Sequence, residues 1–351
     1  MLEIRKASPE KLMLVSWYMT PYAAFLVLMG LYFGRPPRIE QWLTLGILAV
    51  TLTINIGSMV GLLRDPARAA LIRDLRVAIN IACNFWLIYI LLPYWPEIWL
   101  LLLLVVIALA VYDTPETTVF FSYAFACLLL VVGYLRDLMF GVQSGTILID
   151  AATLVFIGIF VSQLINAIQP LSVGNPKALP EKMKMVSFSM TPYAVGLVLM
   201  GLIFGYPRAT EAHWCIGILV VSILVNLGAI VGLEKIPLRS SLIRDIRVGI
   251  NTICNFWLIA ILLPYWPEIW MLLLLMVIAL AVYDSWEATL SYCCVFGGIL
   301  ILIAYLKGMA RGIHLGQTLI HAATLIVIGL FINRLVNVIQ SEDVSEGVSN
   351  S

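Results

Sequence analysis

The chain is a succession of long apolar segments separated by short polar or proline-containing turns. A helix that crosses a bilayer needs about 20 predominantly apolar residues. Twelve segments meet or approach that length, at 14–34, 42–63, 75–92, 98–113, 117–135, 147–168, 185–205, 213–234, 246–263, 269–284, 288–306 and 318–339. The pattern predicts an all-α integral membrane protein with about 12 transmembrane helices.

The second six segments repeat the first six at a constant offset of 171 residues. Residues 15–34 match 186–205 at 15 of 20 positions, and residues 84–113 match 255–284 at 27 of 30. We therefore expect two homologous six-helix membrane repeats. The predicted order is a cytoplasmic N-terminal segment, the first repeat, a cytoplasmic linker, the second repeat and a disordered polar tail, at 1–13, 14–169, 170–184, 185–340 and 341–351.

The lysines and arginines predict the orientation of both repeats. With the N-terminus inside, 15 of the 21 lie on the inner side and 6 on the outer side, and positive residues favour the cytoplasmic side. Six spans per repeat give parallel repeats, related by an axis along the membrane normal. The predicted location is the inner (cytoplasmic) membrane, with both termini cytoplasmic. We expect the first span to be retained, because its twin lies in mid-chain.

Proline- and aromatic-rich turns at 93–99 and 264–270 separate the third and fourth spans of each repeat. Two prolines cannot continue one helix, and tyrosine and tryptophan are typical of the headgroup interface. These spans are nearly identical between the repeats, whereas 118–133 and 289–304 share only 3 of 16 positions. We expect the fifth spans to face lipid, and the third and fourth to pack at the pseudo-twofold axis or to line a surface. The alternative is a recent duplication with patchy sequence exchange.

Composition narrows the class of protein and its partners. Hydrophobic residues make up 62% of the chain and charged residues 12%, against about 45–50% and 25% in soluble domains. The surrounding partner is therefore a lipid bilayer, and the net charge of +1 argues against a nucleic-acid partner. The sequence has no HExxH, GxSxG, Gly-rich phosphate loop or Cys/His cluster, so we expect no metal, no cofactor and no enzymatic activity. Six cysteines within apolar runs predict buried, reduced thiols.

Few polar residues lie inside the predicted spans. Asn80 and Asn84 are four residues apart on one helical face, and they recur as Asn251 and Asn255. Such amides usually hold helices together, and the alternative is a cleft that binds a solute or a quinone. The full candidate intramembrane polar site is Asn80, Asn84, Asn251, Asn255, Asn55, Asn226, Asp150 and His321.

Ionisable residues and glycines give further candidates. Asp150 and His321 occupy equivalent positions, which predicts either interfacial polar residues or a proton-handling pair across the pseudo-axis. A candidate cytoplasmic charge cluster, whose members either pair or anchor helices in water, comprises Arg73, Asp74, Arg76, Asp113, Arg244, Asp245, Arg247 and Asp284. Small-xxx-small patterns predict close helix packing at Gly57, Gly61, Gly228 and Gly232.

Residues 70–169 run from a basic entry (LIRDLR) through an apolar span, the LLPYWPEIW turn and a Leu-rich span to a final span that ends in SQLINAIQ. This order resembles the six-span membrane regions that precede histidine-kinase or diguanylate-cyclase domains in bacterial sensors, and it covers about two-thirds of each repeat. We expect no output domain in this chain. The resemblance therefore implies a non-enzymatic, sensor-like or regulatory membrane module that acts through a membrane or cytoplasmic protein partner.

Two parallel six-span halves are also similar to the major facilitator superfamily. The loop GLLRDPAR, from Gly61 to Arg68, resembles that family's motif of Gly, Asp and basic residues, although Ile236 replaces the Asp in the second repeat. This resemblance implies an alternative function, a small-solute transporter built of two parallel six-helix halves. A further alternative is a membrane-embedded structural or assembly subunit of a larger complex.

Overall fold

The computed structural model describes residues 9–112, 114–140, 144–168, 178–235, 239–309 and 312–349. Within these ranges the chain is helical and forms no strand. The α-helices of this part of the chain are α1 Pro9–Gly34, α2 Arg38–Arg64, α3 Ala69–Leu91, α4 Leu100–Tyr112, α5 Pro115–Phe140, α6 Ser144–Ile168, α7 Ala178–Gly205, α8 Ala209–Lys235, α9 Ser240–Leu262, α10 Met271–Tyr283, α11 Trp286–Leu306 and α12 Gly312–Ser349. Short 3₁₀-helices lie between them at Pro66–Arg68, Pro96–Trp99 and Pro267–Trp270.

Eight of the described helices are long and apolar enough to cross a membrane. Their apolar stretches are Met13–Gly34, Arg38–Arg64, Ala69–Leu91, Pro115–Leu135, Ala209–Leu233, Ser240–Leu262, Trp286–Leu306 and His314–Val338. Shorter apolar stretches accompany them at Pro96–Val111, Ile147–Gln163, Met190–Gly205 and Pro267–Val282. The chain is thus an all-α membrane protein, as its apolar blocks predict.

The described helices group into two compact units. Unit 1 comprises Met1–Ile165 and Arg311–Ile320, and unit 2 comprises Asn166–Ala310 and His321–Ser351. In unit 1, α1 packs against α2, α3 and α4, and α2 packs against α3. In unit 2, α7 packs against α8, α9 and α10, and α8 packs against α9. Each unit therefore holds the same set of neighbouring helices.

The helices α4 and α10 are short and buried on nearly all sides. Each has 13 residues, which is about 20 Å at 1.5 Å per residue. From Leu100 to Val111 every side chain except Ala108 is buried. The same holds in α10 from Met271 to Val282, with Ala279 as the exception. These helices consist mainly of leucine, valine and isoleucine and have no polar stripe. A helix that is hydrophobic on all sides is buried around its whole circumference.

The turns that precede α4 and α10 lie inside the protein. Their tryptophans are buried, with Trp95, Trp99 and Trp270 at most 1% exposed and Trp266 at 4%. The four indoles are therefore enclosed by protein, and the location of the turns at the headgroup interface stays a prediction. The twin turns have the same backbone hydrogen bonds, from Tyr94 N and Trp95 N to Leu91 O in unit 1 and from Tyr265 N and Trp266 N to Leu262 O in unit 2.

Glycines on α1 explain why the first of these turns is buried. A Cβ atom on Gly30 would lie 3.0 Å from Trp95 Cδ1, and a Cβ atom on Gly34 would lie 2.8 Å from the Tyr94 carbonyl oxygen. Gly201 and Gly205 make the corresponding approach in unit 2. The absence of side chains on one face of α1 and of α7 thus lets the turn pack directly onto the helix.

The fifth helix of each unit has a buried and an exposed face. The positions identical between 118–133 and 289–304 are Thr118, Phe125 and Leu129, with Thr289, Phe296 and Leu300 as twins. All six of these side chains are buried. The exposed residues are mostly apolar, among them Phe120, Tyr123, Val131, Val295, Leu302 and Tyr305. An apolar exposed face of this kind suits contact with lipid.

Helices extend into both the predicted linker and the predicted tail. The helix α7 begins at Ala178, within the predicted linker 170–184, and residues 169–177 lie outside the described residues. The helix α12 extends to Ser349, through most of the predicted tail 341–351.

All six cysteines are free, but Cys127 and Cys294 are exposed. The expectation of buried thiols is wrong for these two residues, since they lie on the exposed faces of α5 and α11.

Candidate functional site

Paired asparagine side chains join α2 to α3 in unit 1. Asn80 Nδ2 donates to Asn55 Oδ1 at 2.8 Å, and Asn55 Nδ2 lies 3.5 Å from Asn80 Oδ1. One turn further along α3, Asn84 Nδ2 lies 3.5 Å from the Leu101 carbonyl oxygen. Residues four apart share a helical face, so the three amides face the same region of the unit.

The equivalent amides join α8 to α9 in unit 2. Asn251 Nδ2 donates to Asn226 Oδ1 at 3.0 Å, and Asn226 Nδ2 lies 3.4 Å from Asn251 Oδ1. The Ser222 hydroxyl donates to the same Asn251 oxygen at 2.8 Å. Asn255 follows one turn along α9 and is half-buried. The interhelical amide contact therefore occurs in both units.

A buried arginine accompanies the amides in each unit. Arg76 is 4% exposed and Arg247 is 5% exposed. The Arg76 guanidinium donates through Nη1 to the Ser16 hydroxyl on α1. The positions of these two arginines near the ends of α3 and α9 suggest anchors that are solvated by water. The structure contradicts that alternative, because both side chains are buried. Arg76 is buried because α3 packs against α1, a helix about 60 residues earlier in the sequence.

The other members of the predicted charge cluster pair with one another. Arg73 Nε lies 2.8 Å from Asp74 Oδ1, and Arg244 Nε lies 2.9 Å from Asp245 Oδ1. Arg244 Nη1 is also 3.7 Å from Asp284 Oδ1. The cluster thus includes these ion pairs and two buried arginines, while Asp113 lies outside the described residues.

The amides and the arginine of each unit line a cleft. The cleft of unit 1 has a volume of about 70 Å³ and that of unit 2 about 90 Å³, which is room for several waters at about 10–15 Å³ each. Hydrophobic residues of α4 or α10 contribute to the wall, and none of the described lining residues is acidic. The polar lining is Ser16, Thr20, Thr51, Asn55, Arg76, Asn80 and Asn84 in unit 1, and Thr191, Ser222, Asn226, Arg247, Asn251 and Asn255 in unit 2.

Two glutamates that are not among the predicted site residues are also buried. Glu97 is 0% exposed and Glu268 is 3% exposed, and each lies in an identical PYWPEIW turn. Within unit 1, Gln317 Nε2 donates to Glu97 Oε1 at 3.2 Å, and Gln317 Oε1 lies 3.0 Å from His314 Nδ1. An acidic residue that recurs within apolar surroundings is the signal that could have identified them.

Asp150 and His321 are each buried in their own unit. In unit 2 the His321 ring stacks on Trp270, with centroids 4.2 Å apart and 13° between the ring planes. A nitrogen of His321 also lies within 4.8 Å of a carboxylate oxygen of Glu268. Neither Asp150 nor His321 lines the polar clefts. The proton-handling pair stays a prediction.

The predicted packing glycines differ in their surroundings. A Cβ atom on Gly61 would lie 3.3 Å from Ile72 Cδ1, and one on Gly232 would lie 3.3 Å from Ile243 Cδ1. A Cβ atom on Gly57 or Gly228 would meet no atom within 4 Å. Only the second glycine of each pattern therefore approaches the neighbouring helix.

No family model, curated protein or solved structure matches this chain. The two clefts are the features from which a function can be argued, because they combine space, buried charge and hydrogen-bonding groups.

Proposed function

We propose that this chain is a twelve-span inner-membrane protein that binds a small ligand in each of two equivalent clefts. It acts as a non-enzymatic, sensor-like or regulatory module through a membrane or cytoplasmic protein partner. The observation that carries the proposal is the occurrence, in each unit, of a cleft lined by amides, hydroxyls and one guanidinium. Polar groups within membrane-spanning segments are costly, and they commonly mark binding sites.

Twelve spans follow if the four shorter apolar stretches cross the membrane together with the eight long ones. The stretches Pro96–Val111 and Pro267–Val282 are shorter than a lipid-facing span needs to be. Burial of α4 and α10 on nearly all sides removes that requirement, because backbone that is enclosed by protein need not match the thickness of the bilayer.

Same-facing units follow from the even number of spans in each repeat. The excess of lysine and arginine on one side supports this orientation, with both termini in the cytoplasm. The first residues of α3 and α9 are then cytoplasmic, and the ion pairs Arg73–Asp74 and Arg244–Asp245 lie at that side.

The regulatory role is supported by the position of α3 and α9. Each of these helices carries cleft residues, such as Arg76 and Asn80, within two turns of an ion pair that includes Asp74 or Asp245. A ligand that displaces the cleft side chains would shift the helix and so alter the charged cytoplasmic end that a partner contacts. The small cleft volumes suit a ligand group of few atoms.

A carrier is the second candidate. It is favoured by the shape of the sites, which are open clefts with several polar side chains in a mostly apolar wall and not sealed cavities. A carrier predicts flux of the bound compound across the membrane, whereas a sensor-like module binds the compound without moving it.

The test uses the full chain in lipid nanodiscs and a screen of small soluble and lipid-soluble compounds for an increase in thermal stability. Asn84→Leu combined with Asn255→Leu changes the lining of both clefts, and Asn337→Leu makes the same exchange at an exposed position. We expect compounds that stabilise the wild type and the Asn337 variant to lose their effect on the double variant.

The same compounds are then tested for uptake into proteoliposomes. Binding without uptake supports the sensor-like module, and uptake that the double variant abolishes supports the carrier instead. A screen in which no compound stabilises the protein, or in which the double variant responds like the wild type, contradicts binding in the clefts. A purely structural or assembly subunit would give that result.

A further inference from the structure

Unit 2 holds a further cavity beside its polar cleft, with a volume of about 330 Å³. It lies where α9 begins, α10 ends and α11 begins, and its lining includes Arg244, Asp245, Gly249, Thr252, Asp284 and Tyr292. We infer that this α9–α11 cavity binds the ammonium group of a small organic cation. The inference goes beyond the proposed function, because it does not require that a ligand binds in either polar cleft.

The charged side chains of the lining favour a cation. Arg244 Nε lies 2.9 Å from Asp245 Oδ1, and Arg244 Nη1 lies 3.7 Å from Asp284 Oδ1. One guanidinium faces two carboxylates, so the described lining has one negative charge in excess. These contacts involve a single oxygen of each aspartate, and the second oxygen of a carboxylate also accepts hydrogen bonds. The Asp284 side chain is 20% exposed, so its charge is screened less than that of a surface carboxylate.

A buried asparagine holds the backbone around Asp284 in place. Asn333 is 1% exposed, and its Nδ2 donates to the carbonyl oxygens of Ala281 at 3.0 Å and Asp284 at 2.8 Å. The next residue, Ser285, caps α11 by accepting a hydrogen bond from the Ala288 amide at 3.3 Å. The Asp284 carboxylate therefore projects from a fixed segment, and a positioned group loses less conformational entropy when a ligand binds.

Two aromatic rings complete the wall of the α9–α11 cavity. Tyr292 and Phe296 lie one turn apart on α11 and both line it, with ring centroids 6.2 Å apart. The face of an aromatic ring attracts an ammonium group, and the ring also packs against the carbon atoms of an organic cation. The hydroxyls of Tyr292 and Thr252 add oxygens that accept hydrogen bonds from N–H groups.

Comparison of the two repeats identifies residues that are special to unit 2. The three charged residues of the lining have identical twins at 73, 74 and 113. Other lining residues differ from their twins, namely Gly249, Thr252 and Tyr292 from Ala78, Ile81 and Phe121. Unit 2 thus has two hydroxyls and one open position where the first repeat has apolar side chains. A Cβ atom on Gly249 would meet no atom within 4 Å, so helix packing does not require this glycine. We therefore expect one cation site per chain.

The ammonium group belongs either to a free amine or to a lipid headgroup, and two measurements on the full chain distinguish them. The protein is studied in neutral maltoside micelles. Calorimetry follows titration with butylammonium chloride, with 1-butanol and butyrate as the neutral and anionic analogues. Native mass spectrometry counts retained phosphatidylethanolamine, with phosphatidylglycerol as a lipid that has no ammonium group. Binding of one equivalent of butylammonium identifies a free amine, and retention of phosphatidylethanolamine alone identifies a headgroup.

Variants of charged residues test the electrostatic part of the inference. Asp284→Asn keeps the shape of the side chain but removes its charge. It should weaken cation binding by about 10- to 100-fold, as expected for loss of a charge-assisted contact. Asp74→Asn removes an aspartate of unit 1, which lies outside the α9–α11 cavity, and should leave the affinity unchanged.

Two further variants place the cation in the cavity without changing a charge. The triple variant Gly249→Ala, Thr252→Ile, Tyr292→Phe gives these positions the residues of the first repeat, and it should weaken binding by about 10-fold or more. Gly249→Leu fills the cavity and should abolish binding. Gly228→Leu is its control, because a Cβ atom there also meets open space and Gly228 does not line the cavity. These variants keep the test decisive if Asp284→Asn is unstable.

Several results would overturn the inference. One is unchanged affinity for the bound cation in the folded triple and Gly249→Leu variants. Others are equal binding of butylammonium, butanol and butyrate, or no binding in either measurement. None of these results affects the proposed function, since ligands of the polar clefts are identified by their loss of effect on the Asn84 and Asn255 double variant.

Discussion

Arg73 and Arg76 lie three residues apart on α3, yet their surroundings are different. Arg73 pairs with the exposed Asp74, whereas Arg76 is buried and donates to Ser16 on α1. Surface ion pairs contribute little to stability. A buried arginine is different, because the groups packed around it must compensate for its lost hydration. The chemistry of the cleft therefore depends on Arg76 and its twin Arg247, whereas Arg73 and Arg244 do not line the clefts.

The reciprocal amide contact between α2 and α3 gives a prediction at the same scale. Asn55→Leu and Asn80→Leu should each destabilise the protein, and the double variant should be less destabilised than the sum of the two. The expected coupling is about 0.6 kcal/mol and at most about 1.7 kcal/mol, as for other interhelical hydrogen bonds in membrane proteins. Unfolding in mixed detergent micelles measures all four proteins of the cycle.

A second cycle that pairs Asn55→Leu with Asn337→Leu is the control, because Asn337 is an exposed residue of unit 2. It should give no coupling. Strict additivity for Asn55 and Asn80 would show that their contact does not hold α2 to α3.

Several of these residues could be identified from the sequence, and others could not. The repeated spacing of Asn80 and Asn84 indicates a shared polar face, and the structure places both beside one cleft. The burial of Arg76 was not predictable, because a long cationic side chain near a helix end normally extends into water. Its partner, Ser16, is 60 residues away in sequence, and nothing in the local pattern of α3 indicates that contact.

At the scale of the element, the packing of α1 also shows that a local sequence pattern does not reveal contacts with distant parts of the chain. Its Gly30 and Gly34 have the small-xxx-small spacing, but the pattern for which close packing is predicted, Gly57 and Gly61, lies on α2. The structure shows close approach at Gly34, whereas a Cβ on Gly57 of α2 would meet open space. Spacing alone cannot separate these cases, because it does not reveal which face of a helix meets protein.

The two glycines give a matched prediction. Gly34→Ala should lower the thermal stability of the protein, because the new Cβ would lie 2.8 Å from the Tyr94 carbonyl oxygen and backbone cannot easily move away. Gly57→Ala should be neutral or slightly stabilising, since alanine is favoured over glycine inside helices by about 1 kcal/mol. Melting temperatures in one detergent compare the variants. Equal destabilisation by both, or none by Gly34→Ala, would contradict the close approach of α1 to the turn.

The fifth helices show what comparison of the two repeats can reveal. The three positions retained between 118–133 and 289–304 are buried in both units. The exposed positions changed while staying mostly apolar, as a lipid-facing surface allows. By contrast, α4 and α10 have almost no exposed residue, so nearly every position is constrained by packing. Burial therefore accounts for the retention of α4 and α10, whereas it does not explain why the exposed Trp86 of α3 and its twin Trp257 of α9 are identical.

At the scale of the whole molecule, each unit contains its own complete cleft. The sequence repeat predicts this equivalence, because residues 171 apart face the same neighbours. The sequence could not predict that the polar cleft would lie within a unit, since the candidate amides are compatible with any surface of α3 and α9. If both units face the same way, as we propose, the two ligand sites are reached from one side of the membrane.

Cysteine accessibility tests whether both clefts open to the same side of the membrane. Thr20→Cys and Thr191→Cys place one thiol in each cleft, in a protein whose six native cysteines are replaced by serine. A membrane-impermeant methanethiosulfonate is applied to intact spheroplasts and to inside-out vesicles, with Arg68→Cys as an exposed control. If both units face the same way, with both termini in the cytoplasm, both cleft thiols should react from the cytoplasmic side. Reaction from opposite sides, or reaction of the control alone, would contradict it.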